Sequence, residues 1–111
     1  MNKFVVIYHA TSTLLEQMAN ATPEQMQENM KPWMEWVARC GEGLVDLGAP
    51  ISGGQKFSKS GSSTSDKSVV GYSILQAENM EGAKALLEGH PHLEWTAGGE
   101  IEVHETMPTP M

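Results

Sequence analysis

The segment Phe4-Val5-Val6-Ile7-Tyr8 constrains the fold more than any other part of this sequence. Its residues are β-branched or aromatic at consecutive positions, and side chains alternate between the two faces of a strand, so this strand is apolar on both faces. A strand of this kind belongs in the middle of a sheet. We therefore expect a central strand over Lys3 to His9, with both of its faces covered.

A helix start is marked by Thr22-Pro23-Glu24-Gln25. Thr22 suits the N-cap, Pro23 the first helical position, and Gln25 completes a capping box. The following apolar residues share one stripe at 3.6-residue spacing, namely Met26, Met30, Trp33, Met34, Val37, Leu44 and Val45. Pro32 lies inside this stripe and predicts a kink, or two helical segments that meet there. The pattern places the end of the helix near Gly48.

The remaining elements are shorter. Between Thr11 and Ala21 the signal is mixed, and Leu14, Leu15 and Met18 could anchor a short helical turn. After Ala49-Pro50 a weak second strand is expected to end by Phe57, followed by a mobile, serine-rich hairpin loop over residues 58–68. A third strand is expected over Val69 to Gln76, a second helix between Asn79 and Gly89, and a last strand over Gly99 to Met107.

The resulting order is β-α-β-β-α-β over a single domain of residues 1–111. It predicts an α+β, ferredoxin-like fold, with a four-stranded antiparallel sheet and both helices on one face. The other face of the sheet stays uncovered in a single chain. Because the first and third strands offer apolar residues on both sides, we expect a homodimer that forms through this open sheet face.

Composition excludes several classes of function. A formal net charge of −7 offers no basic stripe for a phosphate backbone, so nucleic acid is not expected as a partner. No apolar run approaches the roughly 20 residues that cross a bilayer, so no membrane association is expected. Cys40 is the only cysteine, and the first residues do not read as a secretory signal, which indicates the cytoplasm. Neither a metal nor a cofactor is expected, because no Cys/His cluster and no phosphate loop is present.

Several short pieces of the sequence resemble one known family. They are Tyr8-His9, Trp33-Met34-Glu35-Trp36, Gly43-Leu44-Val45-Asp46-Leu47-Gly48-Ala49-Pro50, Ala83-Lys84-Ala85-Leu86-Leu87, His90-Pro91-His92-Leu93 and Gly99-Glu100-Ile101-Glu102-Val103. Together, in this order, they are similar to the YCII-related family of the dimeric α/β-barrel superfamily. The resemblance implies a ferredoxin-like protomer, a barrel-like dimer, and acid–base chemistry without metal on aromatic or lactone substrates in some relatives.

The resemblance does not extend to the proposed active centre of that family, which is a His–Asp pair. The position of its histidine on the first helix falls around Lys31, and the position of its aspartate, just before Pro91, is His90 in this chain. Any catalytic group must therefore be argued from the residues that are present.

Three residues are candidate catalytic groups: His90, Asp46 and His9. An unperturbed histidine has a pKa of about 6.5, which suits proton transfer near neutrality when a carboxylate orients the ring. The alternative for His90 is a bond to the last carbonyls of the second helix. Asp46 could instead be a solvated turn cap, and His9 could be an edge histidine bonded to backbone.

Three further residues are candidate ligand contacts: Trp33, Tyr72 and His92. The aromatic residues could line a pocket, although a Trp on an amphipathic stripe commonly belongs to the core. The sequence thus predicts a protein that binds a small, partly apolar molecule and could catalyse an isomerisation or elimination by acid–base chemistry. The alternative is a non-catalytic module that binds a ligand or serves as a dimerising interaction domain.

Overall fold

The structure is a computed structural model that describes residues 1–10, 20–65, 68–94 and 99–108. The short turn expected around Leu14, Leu15 and Met18 lies outside these residues, as do Asp66 and Lys67 of the expected loop. Six strands and three helices are described: β1 (Asn2–His9), α1 (Pro23–Cys40), β2 (Leu44–Asp46), β3 (Gln55–Ser58), β4 (Gly61–Thr64), β5 (Val69–Ala77), α2 (Met80–Leu87), α3 (Pro91–Glu94) and β6 (Glu100–Glu105).

The main sheet has four strands in the order β2-β5-β1-β6, and all three pairings are antiparallel. This order is that of a ferredoxin-like α+β fold, as the sequence predicted. β1 is central, and its burial alternates: Phe4, Val6 and Tyr8 are buried on one face, while Val5 and Ile7 are half-buried on the other. The first face is covered by the helices, and the second is the open face of the sheet.

Both helices contribute to one core on the covered face. Trp36 and Cys40 from α1 and Ala83 and Leu87 from α2 pack in the same buried cluster as Phe4. The Trp36 indole also donates a hydrogen bond of 2.8 Å to the Leu86 carbonyl, which ties α1 to the end of α2. Full burial of a side chain such as Phe4 or Leu87 contributes roughly 1.5–3 kcal/mol, so the packing on this face stabilises the protomer.

The start of α1 follows the sequence prediction. Thr22 accepts a hydrogen bond from the Gln25 backbone, and the Gln25 side chain accepts one from the Thr22 backbone, which forms a capping box. The helix continues through Pro32 without a break, so the alternative of two separate segments is wrong.

The predicted end of this helix is also wrong. α1 ends at Cys40, Gly41 caps it at φ 54°, and Gly41–Gly43 forms a 3-10 turn. Leu44 and Val45, assigned to the helical stripe, lie instead in β2, which pairs with β5 through Leu44 and Asp46. The second strand of the main sheet is therefore β2, not the segment that ends at Phe57.

The segment expected as a strand followed by a loop forms a separate hairpin. β3 and β4 pair in a two-stranded antiparallel sheet of their own, with Phe57 opposite Ser62. The polypeptide leaves the main sheet for this hairpin near Pro50, which forms an isolated antiparallel β-bridge with Gly71 of β5. The hairpin turn at Ser58 to Gly61 falls inside the predicted hairpin loop, but Gly61–Thr64 forms β4, where the sequence predicted no strand.

Candidate functional site

The polar groups of the covered face gather around Tyr8, near one end of β1. Strand alternation turns Tyr8 toward the helices, where it is 3% exposed. The residue opposite it on β5 is Gly71, where an added Cβ would lie 3.2 Å from the Tyr8 ring. The absence of a side chain at Gly71 thus makes room for the phenol. Ser73, two residues further along β5, lies on the same face and is fully buried.

His90 reaches this point from the loop between α2 and α3. Gly89 takes a φ of +68°, and the His90 backbone N–H then donates to the Leu87 carbonyl at 3.2 Å. Its side chain is fully buried, with the ring Nε2 3.1 Å from the Tyr8 hydroxyl. His90 therefore does not merely cap its helix, because the imidazole makes its own bond across the core.

The hydrogen bonds of this cluster have a single consistent direction. The His92 backbone N–H donates to His90 Nδ1 at 2.9 Å, so that nitrogen carries no proton. In the neutral ring the proton is then on Nε2, which donates to the Tyr8 oxygen. Tyr8 in turn donates to the Ser73 hydroxyl at 2.7 Å.

The chain of bonds ends at a backbone carbonyl. The Ser73 hydroxyl donates to the Leu47 oxygen at 2.6 Å, which can only accept. Since the chain starts at a backbone N–H and finishes at a backbone C=O, its direction cannot reverse. Each side-chain polar hydrogen of His90, Tyr8 and Ser73 is used, and by the same count the Tyr8 and Ser73 oxygens can each accept one further hydrogen bond.

Aromatic rings enclose this chain of hydrogen bonds. Trp33 meets Tyr8 edge-to-face with ring centroids 5.2 Å apart, and it meets His90 in the same way at 4.7 Å. The Trp36 ring lies 4.3 Å from His90 on another side. Among these rings Trp33 is the half-buried one, whereas Trp36 is 1% exposed. Trp33 is thus the part of the cluster closest to solvent.

Burial keeps both ionisable groups of the pair uncharged. Desolvation, with smaller contributions from His92 and Arg39, lowers the pKa of His90 to about 3. Desolvation raises the pKa of Tyr8 to about 12, against the opposing effect of the Ser73 hydrogen bond. At neutral pH the site therefore presents a neutral imidazole and a neutral phenol.

The candidate catalytic residues of the sequence do not come together. Asp46 is exposed at the end of β2, where its carboxylate accepts a hydrogen bond of 2.8 Å from the Gly48 backbone. This is the turn-cap alternative. His9 lies on the open face, where its Nδ1 is 3.1 Å from the Ser68 hydroxyl and its Nε2 contacts the Glu102 carboxylate. His90 is on the covered face with Tyr8.

The candidate ligand contacts are also divided between the two faces. Trp33 contacts Tyr8, and so does His92, whose ring centroid is 5.2 Å from that of Tyr8. His92 Nε2 donates to the His9 carbonyl at 2.7 Å, which leaves His92 6% exposed. Tyr72 is half-buried on the open face, so it shares no pocket with Trp33.

Tyr8 and Ser73 are the members of the cluster that sequence reasoning missed. A signal for Tyr8 was present, because it shares the inward parity of Phe4 and Val6 on a strand that must be central. Ser73 carried no local signal, since a small residue in an alternating strand is ordinary. Among the described residues no group of three or more His, Cys, Asp or Glu side chains is placed to hold a metal ion.

A groove of about 270 Å³ borders the cluster on the side of α1, lined by Pro32, Glu35, Trp36, Arg39, Gly89 and Pro91. The Arg39 guanidinium is held there by a hydrogen bond of 2.6 Å to the Glu88 carbonyl. No helix in the described ranges has the length and apolar character that spanning a membrane requires.

Comparisons with known proteins give little beyond this geometry. A scan against protein-family profiles finds no match, and a search of curated proteins finds no relative. Among solved structures the chain is similar to 5-chloro-2-hydroxyhydroquinone dehydrochlorinase (TftG) from Burkholderia phenoliruptrix AC1100, in complex with 2,5-dihydroxybenzoquinone. The identity is 13%, the alignment covers 90% of each chain, and the TM-score is 0.48. At this level the likeness transfers neither residues nor chemistry.

Proposed function

We propose that this protein binds a small, uncharged, partly aromatic molecule that carries a hydroxyl group. The observation that supports this proposal is the fixed direction of the hydrogen-bond chain, which leaves one acceptor lone pair on the Tyr8 oxygen inside an aromatic enclosure. A ligand hydroxyl donates to that lone pair, and its ring takes the place beside Tyr8 that the Trp33 ring now holds. Because Tyr8 is 3% exposed, the half-buried Trp33 must move to admit the ligand.

The preference for an uncharged ligand follows from the neutrality of the site. His90 and Tyr8 are both uncharged at pH 7, and the surrounding groups are indole rings and a hydroxyl. A carboxylate or ammonium placed here would lose its hydration without gaining an opposite charge, which costs several kcal/mol.

The acid–base alternative takes a more specific form at this site. His90 Nδ1 already accepts the His92 N–H, so a proton can be placed on Nδ1 only if that bond breaks. A pKa of about 3 also makes His90 a weak base. In a proton shift, Tyr8 would be the group that touches the substrate and His90 the residue that positions it.

The binding proposal is tested by titrating the protein with phenol and following tryptophan fluorescence. Benzene, which lacks the hydroxyl, and benzoate, which is charged, are the matched comparison ligands. We expect phenol to bind at least tenfold more tightly than either. Tyr8→Phe should remove the preference for phenol over benzene and keep the preference over benzoate, while Tyr72→Phe on the opposite face should keep both.

Two results would count against this site. If benzoate binds as tightly as phenol, the ligand is not selected for neutrality. If Tyr8→Phe binds phenol as the unmodified chain does, the Tyr8 lone pair is not the contact. The acid–base alternative is tested once a substrate is identified. The Tyr8→Phe variant should then show no turnover of it, and the His90→Gln variant should show a reduced kcat.

We also propose that two copies of the chain pair through the open sheet face, and that the chain is a relative of the YCII-related family. Val5, Ile7, Tyr72 and Ile74 form an apolar stripe on this face, and each is only half-buried in the protomer. Along β6 the stripe is bordered by Glu102, which contacts His9 and His104. An apolar centre with a polar rim is the usual anatomy of an interface between protein chains.

A further inference from the structure

The β3–β4 hairpin, here called the arm (residues 55–64), projects from the protomer. All eight residues of its two strands are exposed, and Phe57 in the middle of β3 is 80% exposed. A lone two-stranded hairpin is marginally stable in water, because it has no hydrophobic layer to pack against. Among the described residues no hydrophobic layer covers the arm, so a packing partner would stabilise it.

The chemistry of the arm is opposite to that of the rest of the chain. Lys56 and Lys59 are its charged side chains, and all 14 acidic residues of the protein lie outside it. The whole chain has a net charge of −7, so the part outside the arm, without the two lysines, carries −9 and attracts the arm of a second copy. An exposed phenylalanine between two lysines suits a surface that offers both carboxylates and an apolar area.

The position of the arm on the sheet indicates which part of a second copy it meets. It leaves the main sheet beside β5, near Gly71, at the β2 edge and at the end where Val69 pairs with His9. Glu100 lies at the same end, because it also pairs with His9, but it belongs to β6 at the opposite edge.

A two-fold axis parallel to the strands exchanges the two edges of facing sheets and keeps their ends aligned. It would place the β2 edge of one copy across from the β6 edge of the other, about 10 Å away, with the arm next to Glu100 of the partner subunit. β6 also carries Glu102 and Glu105, so this edge is acidic.

We propose that the arm of each protomer packs on the β6 edge of a second copy, with Phe57 against its surface and Lys56 and Lys59 facing its carboxylates. This inference rests on the proposed dimer and specifies how that dimer is held. Each subunit contributes one arm and receives one, so the contact is made twice.

The test is the dimer dissociation constant of the full chain, measured by sedimentation velocity. Lys56→Glu/Lys59→Glu and Phe57→Ser should each raise it at least tenfold. The matched controls are Lys31→Glu/Lys84→Glu, which reverses two charges on the helices, and Met26→Ser. They should change the dissociation constant less than twofold. Since the arm is exposed, far-UV circular dichroism should show unchanged folding in every variant.

A charge exchange tests the docking position itself. Adding Glu100→Lys to Lys56→Glu/Lys59→Glu should restore the dissociation constant to within about threefold of the unmodified value. Restoration by Glu100→Lys supports the β6 edge, and its absence overturns it. If the arm variants leave the dissociation constant unchanged, the arm contact is overturned and the sheet-face dimer is retained. A chain that stays monomeric up to 100 µM overturns both.

Discussion

At the scale of single residues, the site is a series of hydrogen bonds through His90, Tyr8 and Ser73 to the Leu47 carbonyl. Tyr8 stands between His90 and Ser73, and it is 3% exposed while they are fully buried. A buried hydrogen-bonding group that loses its partner costs more than the bond contributed, because water cannot replace the partner. The cluster is therefore sensitive to changes of one atom.

Tyr8→Phe removes that atom. It leaves the His90 Nε2–H without an acceptor and removes the donor to Ser73, so we expect a loss of about 1–3 kcal/mol in the free energy of unfolding. Urea denaturation measures this loss. Tyr72→Phe is the control, because the Tyr72 hydroxyl makes no hydrogen bond within the described ranges, and it should cost less than about 0.5 kcal/mol. Equal losses in the two variants would contradict the role given to Tyr8.

His90 makes stability depend on pH in a predictable direction. Its pKa is about 3 in the folded chain and near 6.5 when unfolded, so below pH 6.5 the unfolded chain binds a proton that the folded chain does not. The contribution of neutral His90 to the free energy of unfolding is fully present above pH 6.5. It is lost as pH falls toward 3, by at most about 1.4 kcal/mol per pH unit.

The measurement is urea unfolding at pH 7.5 and pH 5, for the unmodified chain and for His90→Gln. The glutamine does not titrate, so the variant should lose about 2 kcal/mol less over this interval. Carboxylates contribute equally to both chains and cancel in the difference. Parallel pH profiles would show that His90 is not held neutral by the fold.

At the scale of elements, the structure shows which sequence signals determine the fold. β1, β6 and the start of α1 were predicted because each has a local cause: alternation in the strands, and a capping box at Thr22. The end of α1 was missed because Leu44 and Val45 continue the helical period by coincidence. The glycines at 41 and 43 were the stop signal, and pairing with β5 then decided the conformation.

The strand β4 of the arm and the Tyr8–His90 pairing of the site were missed for different reasons. β4 has no apolar residue, and its conformation comes from backbone pairing with β3, which composition does not reveal. His90 was identified from sequence as a candidate, but its partner Tyr8 is 82 positions away. Only the packing of α2 and α3 on the covered face of the sheet brings the two together.

The edge of the sheet at β2 depends on one glycine. Gly48 has a φ of +77°, and an added Cβ would lie 1.9 Å from the Tyr72 carbonyl oxygen. Gly48→Ala should therefore shift β2 away from β5 and cost more than about 3 kcal/mol. Gly53→Ala is the control, with a φ of +65° but no atom within 4 Å of the added Cβ. It should show only the penalty of the left-handed conformation, about 1–2 kcal/mol.

Thermal unfolding of both variants gives the comparison. The displacement of β2 in Gly48→Ala would also move the Leu47 carbonyl that accepts the Ser73 hydrogen bond, so the phenol preference of the site should fall with stability. If Gly48→Ala is no less stable than Gly53→Ala, close approach of the two backbones does not limit this edge.

At the scale of the whole molecule, the two faces of the sheet have different tasks. The covered face holds the core and the Tyr8 cluster, whereas the open face exposes an apolar stripe that a single protomer does not cover. The dimer proposed above would couple the two faces, because any contact made only by the folded dimer stabilises the fold by mass action. Stability should then depend on protein concentration.

We expect the apparent unfolding midpoint in urea to rise as the concentration increases from 1 to 100 µM. Each tenfold increase adds about 1.4 kcal/mol per dimer to the balance between folded dimer and unfolded chains. Ile74→Asp places a charge in the apolar stripe and should make the midpoint independent of concentration. Met26→Asp on the exposed side of α1 leaves the stripe intact and should retain the dependence. A midpoint that is constant for the unmodified chain would mean that the open face is not closed by a second copy, and the partner for its apolar stripe would then have to be a different molecule.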